Sequence, residues 1–260
     1  MFGKSKPIEI KSVDELALMR QAGLVVAKTL EKMRSEIAVG MTTADLDALA
    51  RESIADHGAT SSFLGYHGFP AVICTSVNDE VVHGIPGDRV IESVDIVSID
   101  CGAIVEGWHG DAAISIVMPD AAEDISALSE VTQSSLWAGL AQARVGNQLS
   151  DIGHAVQESI RGAGGYGIVE EYVGHGIGSE MHMHPPVPNY GRPGRGPRLE
   201  VGMALAIEPM ATIGTANVQV LEDQWTVVTS DGAAAAHWEH SVAITDEGPW
   251  VLTSLEGTRL

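Results

Sequence analysis

VGMTTADLDALARESIADHG, Val39–Gly58, returns 106 positions further on as VGNQLSDIGHAVQESIRGAG, Val145–Gly164, with seven identities in twenty ungapped positions. The shared residues are Val39-Gly40, Asp45, Glu52-Ser53-Ile54 and Gly58 against Val145-Gly146, Asp151, Glu158-Ser159-Ile160 and Gly164. A long segment of helical periodicity precedes each copy. The first opens at Ser12-Val13-Asp14-Glu15, a capping-box spacing, and runs to about Ile37; the second covers about 124–143. Val39-Gly40 then closes the first helix, Thr43 with Asp45 starts another through Ala55, and His57-Gly58 ends it. The chain therefore reads as one duplicated helix pair, too few copies for a solenoid.

Strand-like runs bounded by turns follow each pair. They are Ala71–Val77, Val94–Asp100 and Asp111–Val117 in the first half, and Met203–Ile207, Asn217–Val220, Trp225–Thr229 and His240–Thr245 in the second. Helices followed by hairpin-connected strands predict an α+β fold rather than alternating βαβ units. Two equivalent halves packed together place a ligand pocket at their junction. The Pro- and Gly-rich stretch 185–198 is expected as a loop inside the second half. The domain reading is an N-terminal arm over 1–12 and a single catalytic domain over 13–256, its halves about 13–118 and 124–245.

Composition sets the outer bounds. Among 260 residues, 35 Asp+Glu face 15 Lys+Arg for a net charge of −20, which disfavours DNA or any other non-specific nucleic-acid partner. With 45% hydrophobic residues the chain has material for a sizeable core and is no disordered acidic tail. All five lysines lie between Lys4 and Lys32. Two cysteines, Cys74 and Cys101, and a first stretch with no apolar h-region suggest neither a disulfide framework nor secretion. No run of 18 apolar residues suggests a membrane span. The expected setting is the cytoplasm.

The segment from Val94 to Val117 places two acids on adjoining apolar strands. A turn centred on Val105-Glu106 sets Asp100 directly opposite Asp111, and like charges so placed destabilise a sheet unless a cation or proton compensates. Further on, His175 sits between glycines in Tyr172–Gly178, Glu208 ends the apolar run from Met203, and Glu239 precedes the run from His240. Singly, each is an ordinary polar residue. Together, Asp100, Asp111, His175, Glu208 and Glu239 form a mixed oxygen and nitrogen set suited to Mn²⁺, Fe²⁺, Co²⁺ or Zn²⁺. Four negative ligands balance two divalent ions, and such a pair activates water and polarises a carbonyl.

Several segments strengthen this reading. The chain resembles type I methionine aminopeptidases of the pita-bread fold in Ser62–Pro70, Asn78–Pro86, Ile99-Asp100-Cys101-Gly102, Gly110-Asp111, Tyr172–His182 with Val187–Tyr190, Ala206–Pro209 and Trp238–His240. The likeness covers about residues 10–256 in order. It implies two pseudo-symmetric halves around a central metal site and hydrolytic removal of the initiator methionine from nascent proteins, with preference for a small second residue. Asp111 and Glu239 would bridge two metals, Asp100 would chelate the second, and His175 with Glu208 would complete the first. His83 and His182 would contact the scissile amide, and Glu208 would also shuttle protons.

The resemblance further implies a methionine pocket lined by Tyr66, Phe69, Cys74, Met181 and Trp225, with Phe63 at its rim. A thioether packs well against aromatic edges. Cys74 is then a wall rather than a nucleophile. A monomer is implied, with ribosome contact through the lysine-bearing N-terminus or Arg192, Arg195 and Arg198 as an expectation of the function. The chain departs from the family pattern at Met181, where an aromatic is frequent, at Phe63, where a cysteine is frequent, and at Met183-His184, where an acidic residue is usual. Thirty-three positions from His175 to Glu208 leave no room for the insertion of type II enzymes, and no Cys-rich zinc-binding extension precedes residue 10. Alternatives are an Xaa-Pro dipeptidase, a non-catalytic module of the same fold, and a di-iron oxidoreductase. The first usually carries an extra N-terminal domain, the second lacks ligands, and the third favours helix bundles with Glu-x-x-His repeats.

Overall fold

The computed structural model describes residues 7–260, so Lys4 and Lys6 of the expected arm lie outside the described residues. Helix α1 spans Val13–Glu36, α2 Thr43–Asp56, α3 Glu123–Leu140 and α4 Leu149–Ala163. Ser12 caps α1 reciprocally: its Oγ accepts from Glu15 N–H, and its own N–H donates to the Glu15 carboxylate at 2.7 Å. For α2 the cap is Thr42 rather than Thr43, with Thr42 N–H donating to Asp45 at 2.8 Å. Thr43 is buried one step inside, its hydroxyl donating to Gly87 O at 3.0 Å. The repeated glycines do the same work in both copies. Gly40 and Gly146 each take φ 92°, a left-handed conformation that a side chain would strain.

Antiparallel strands fill the space beneath the helix pairs. In the first half a long hairpin, Ile96–Val105 and Trp108–Val117, is extended by Ile73–Val77 and the short Thr60–Ser61. In the second, a five-stranded sheet runs in the order Gly248–Val251, His240–Thr245, Ala204–Ile207, Gly174–Gly176 and Met183–Val187. Two three-stranded sheets complete the fold; one joins Glu80–Val82 from the first half to Val227–Thr229 and Val218–Val220 from the second. The core is continuous across both halves, running through Val26, Leu46, Ile99, Leu136, Ile152, Ile207 and Val242. Among the described residues no helix is long and apolar enough to cross a membrane.

Three sequence expectations need correction. The hairpin turn is Glu106-Gly107, one position further on than expected, so Asp100 pairs with Ala113 and Asp111 with Gly102. Both turn residues have positive φ, 48° and 84°, the geometry that a two-residue hairpin demands and that Gly107 supplies without strain. Moving the centre by one residue moves the register by two. Asp100 and Asp111 therefore stay on one face as diagonal rather than direct neighbours. The expected loop 185–198 begins later, because Pro185–Val187 end the edge strand Met183–Val187, where a proline's missing N–H is tolerated. The strand expected from Trp225 starts at Val227; Asp223 accepts from the N–H groups of Trp225 and Thr226, both at 2.9 Å, and holds them in a turn.

Candidate metal centre and its pocket

Two strand faces from different halves meet at a seam. Asp111 N–H donates to Ser241 Oγ at 3.1 Å, and that hydroxyl donates back to Asp111 O at 2.8 Å. Ala113 and Glu239 exchange backbone hydrogen bonds of 3.0 and 3.3 Å. The seam thus sets Asp111 and Glu239 side by side, with Asp100 on the same face of the hairpin. His175 enters from Gly174–Gly176, pairing with Ala206, and Glu208 follows directly on Ala204–Ile207. Gly174 and Gly176 are needed here, since a Cβ at either would run into the backbone of the neighbouring strand.

The donor atoms converge. One ligand atom each of Asp111, His175 and Glu239 lie within 4.8 Å of one another. His175 Nε2 is 3.8 Å from Asp111 Oδ2 and 3.7 Å from Glu208 Oε1. His175 Nδ1 meets the carbonyl of Gly176 at 2.9 Å, and since a carbonyl only accepts, Nδ1 carries the proton and Nε2 presents its lone pair to the carboxylates. Burial pushes the ring's pKa down to about 3, with His182 adding to the shift. An acceptor nitrogen facing acceptor oxygens is repulsive unless a cation stands between them or a carboxyl carries a proton.

The carboxylates show the same deficit. Asp100 Oδ1, Asp111 Oδ1 and Glu239 Oε1 are buried with no hydrogen-bond partner. Burial pushes Asp100 up to about 7, and burial plus mutual repulsion pushes Asp111, Glu208 and Glu239 well above the carboxylate range. Two buried and two half-buried acids, one neutral imidazole and three orphaned oxygens fit divalent cations of the harder transition-metal type.

One cavity of about 150 Å³ holds this cluster at one end and an apolar recess at the other, and all thirteen candidate residues line it. Phe63, Phe69, Cys74 and Met181 are buried in the recess, with Tyr66 and Trp225 packed against them. Phe69 meets Phe63 and Trp225 edge-on, at ring separations of 6.5 and 5.0 Å. Phe63, expected at the rim, is itself only 4% exposed. It lies against Gly102, where a Cβ would come within 2.7 Å of its ring. Cys74 pairs with Asp100 across the strands, and burial with the nearby acids pushes its thiol well up, keeping it protonated and unreactive.

His83 and His182 stand between the two ends. His83 holds φ 62°, a strained backbone for a residue with a side chain, and burial with His182 nearby pushes its pKa down to about 4. His182 Nδ1 and the Tyr66 hydroxyl share a hydrogen bond of 2.8 Å, and the rings of His182 and His175 are 4.3 Å apart. Burial lowers the His182 pKa as well. Both rings are neutral at pH 7 and suited to hydrogen bonding with an amide.

The sequence reasoning passed over His237. Its Nε2 is buried without a partner, 3.8 Å from Glu208 Oε2. The only signal was its place two residues before Glu239, on a run of alanines. Ser241 was also passed over, because a serine inside an apolar strand carries no mark of the seam it stitches.

A buried Asp/His/Glu group able to hold a metal ion opens on an apolar recess at the junction of two antiparallel half-folds, an arrangement suited to metal-dependent hydrolysis. The chain belongs to metallopeptidase family M24, which it matches over residues 17–246. It is 52% identical to a methionine aminopeptidase of Clostridium acetobutylicum over 250 residues, which cover 96% of this chain and all of that one. A methionine aminopeptidase of Thermotoga maritima superposes with a TM-score of 0.93 at 40% identity, covering 95% of this chain and all of the other. The prolidase of Pyrococcus furiosus shares the fold, with TM-score 0.75 and 22% identity; this chain spans 94% of itself but 65% of the prolidase.

Proposed function

We propose that this metallopeptidase removes the initiator methionine from protein N-termini by hydrolysis, using two divalent ions, Mn²⁺, Fe²⁺, Co²⁺ or Zn²⁺, and preferring a small second residue. The observation that carries the proposal is the single cavity in which a buried acid cluster faces a recess of Phe63, Phe69, Met181 and Trp225. Such a site takes one side chain inward and leaves the rest of the peptide outside. The fit is to methionine, whose thioether packs against the aromatic edges.

Asp111, Glu239, Asp100, His175 and Glu208 would together hold the ions. When bound, the ions supply an activated water and polarise the scissile carbonyl. The remaining work falls to the chain. His182, oriented by Tyr66, and His83, fixed by its backbone, would hydrogen-bond the scissile amide and hold it over the cluster. Glu208 would take the water's proton and return it to the departing amine. The recess holds the methionine side chain away from water.

We place this activity in the cytoplasm, in a monomer whose residues 13–256 act as one catalytic domain. The nascent chain would be met at the ribosome, with the lysine-bearing N-terminus or Arg192, Arg195 and Arg198 as the candidate basic patch.

The test compares Met-Ala-Ser with Ala-Pro in protein loaded with Mn²⁺, Fe²⁺ or Co²⁺. Release of free methionine, abolished by a chelator, is the expected result. Preferential cleavage of Ala-Pro would replace the proposal with an Xaa-Pro reading.

A further inference from the structure

A charged cluster built around the buried Lys11 lies outside the metal centre, where the segment before α1 crosses the loop that carries Met181 and His182. The Lys11 side chain is 2% exposed, with its ammonium 3.4 Å from Glu9 Oε1 and 3.3 Å from Glu9 O. Glu9 in turn accepts from both the N–H of Ser179, at 3.2 Å, and the Ser179 hydroxyl. The contact is close because Gly178 has no side chain: a Cβ there would come within 2.8 Å of Lys11 Nζ and nearer still to Glu9 Oε1. On its other side Gly178 O accepts from His109 N–H at 3.0 Å, which ties the same loop to the strand bearing Asp111. The segment itself is anchored by Lys11 N–H on Gly202 O at 2.8 Å.

With Lys11 buried and Glu9 28% exposed, the pair is weak as a stabiliser, because desolvation of the ammonium offsets its Coulomb energy. What such a pair supplies is a defined geometry. Here the geometry is that of Gly178 and Ser179, the latter two residues before a recess wall, Met181, and three before His182, the imidazole expected on the scissile amide. We infer that Glu9 and Lys11 form a strap that fixes the 177–182 loop, making Glu9 a positioning residue for Met181 and His182. The functional part of this inference rests on the proposed aminopeptidase reading; the structural part does not.

The strap is tested in the full chain with Glu9→Ala and Glu9→Gln, reading amide hydrogen exchange over residues 177–183, the thermal midpoint, and kcat and KM for Met-Ala-Ser. Glu9→Ala is expected to speed exchange in 177–183 by about tenfold or more and to lower kcat/KM by a similar factor, with little change of exchange in α3 and α4. Glu9→Gln, which keeps an oxygen for Ser179, should recover part of both. Unchanged exchange in 177–183, or a uniform rise across the molecule, would overturn the strap. If exchange rises locally while kcat/KM stays within twofold, the positioning role is overturned. Wild-type protein that exchanges as expected but releases no methionine contradicts the aminopeptidase reading instead.

Discussion

Asp100 is pushed up to about 7 by burial, and burial with mutual repulsion pushes Asp111, Glu208 and Glu239 well above the carboxylate range. A carboxyl whose folded pKa exceeds its unfolded one stabilises the fold at low pH and loses that contribution as pH rises through the folded value. Buried histidines work in the opposite sense: His175 and His237, both near 3, cost stability below about 6.5, where the unfolded imidazole gains its proton. Above pH 6.5 the unfolded imidazoles also become mostly neutral, so the histidine contribution fades over about one further pH unit and the acids dominate. Metal-free protein should therefore lose stability between pH 6.5 and 8, by up to about 1.4 kcal/mol per pH unit for each titrating acid. Urea unfolding in a chelator measures this, and a flat or rising profile would contradict it. Saturating divalent ion should flatten the fall. At the same scale, His175→Ala removes the one nitrogen of the cluster; metal affinity should drop by at least tenfold and most turnover should go, whereas near-normal turnover would break the ligand assignment.

Among the elements, the hairpin was the most instructive. Its two acids were legible because charged residues in otherwise apolar strands stand out. Its register was not, because Val105-Glu106 and Glu106-Gly107 are both plausible turn centres and only the positive φ pair at Glu106 and Gly107 decides between them. Short strands such as Gly174–Gly176 and Ala235–His237 carry too few residues for a period of two to show. The close approach of α1 to the hairpin was equally hidden. A Cβ on Gly110 would lie 2.6 Å from the backbone N of Gly23, so helix and strand meet backbone to backbone beside Asp111. Gly110→Ala must push them apart, and an overpacking cost of about 1–3 kcal/mol is expected in thermal or urea unfolding. Calorimetric titration of the same variant should show weaker metal binding, since Asp111 moves with its neighbour. Wild-type stability in Gly110→Ala would remove this contact from the argument.

Across the whole molecule, the duplication was legible because identical residues recur on matching helices. The five metal-ligand candidates were legible as one set from their chemistry, whereas the convergence of His83, His182 and the recess residues on them was legible only through the family resemblance, since all thirteen come from segments as far apart as Phe63 and Glu239. Contacts made by unremarkable residues, such as Ser241 at the seam and Glu9 under the His182 loop, leave no pattern in a single chain. The net charge of −20 also changes meaning. Four of those charges belong to a buried cluster that two divalent ions would neutralise, leaving about −16 as solvated surface.

Methionine release from Met-Ala-Ser, followed through a titration of Mn²⁺, Fe²⁺, Co²⁺ or Zn²⁺ with bound metal counted at each point, joins cluster, recess and reaction in one measurement. Release should be absent in metal-free protein, rise with bound ion, and level off by two ions per chain. Undiminished release without metal, or none with any of these ions in a folded sample, would contradict it.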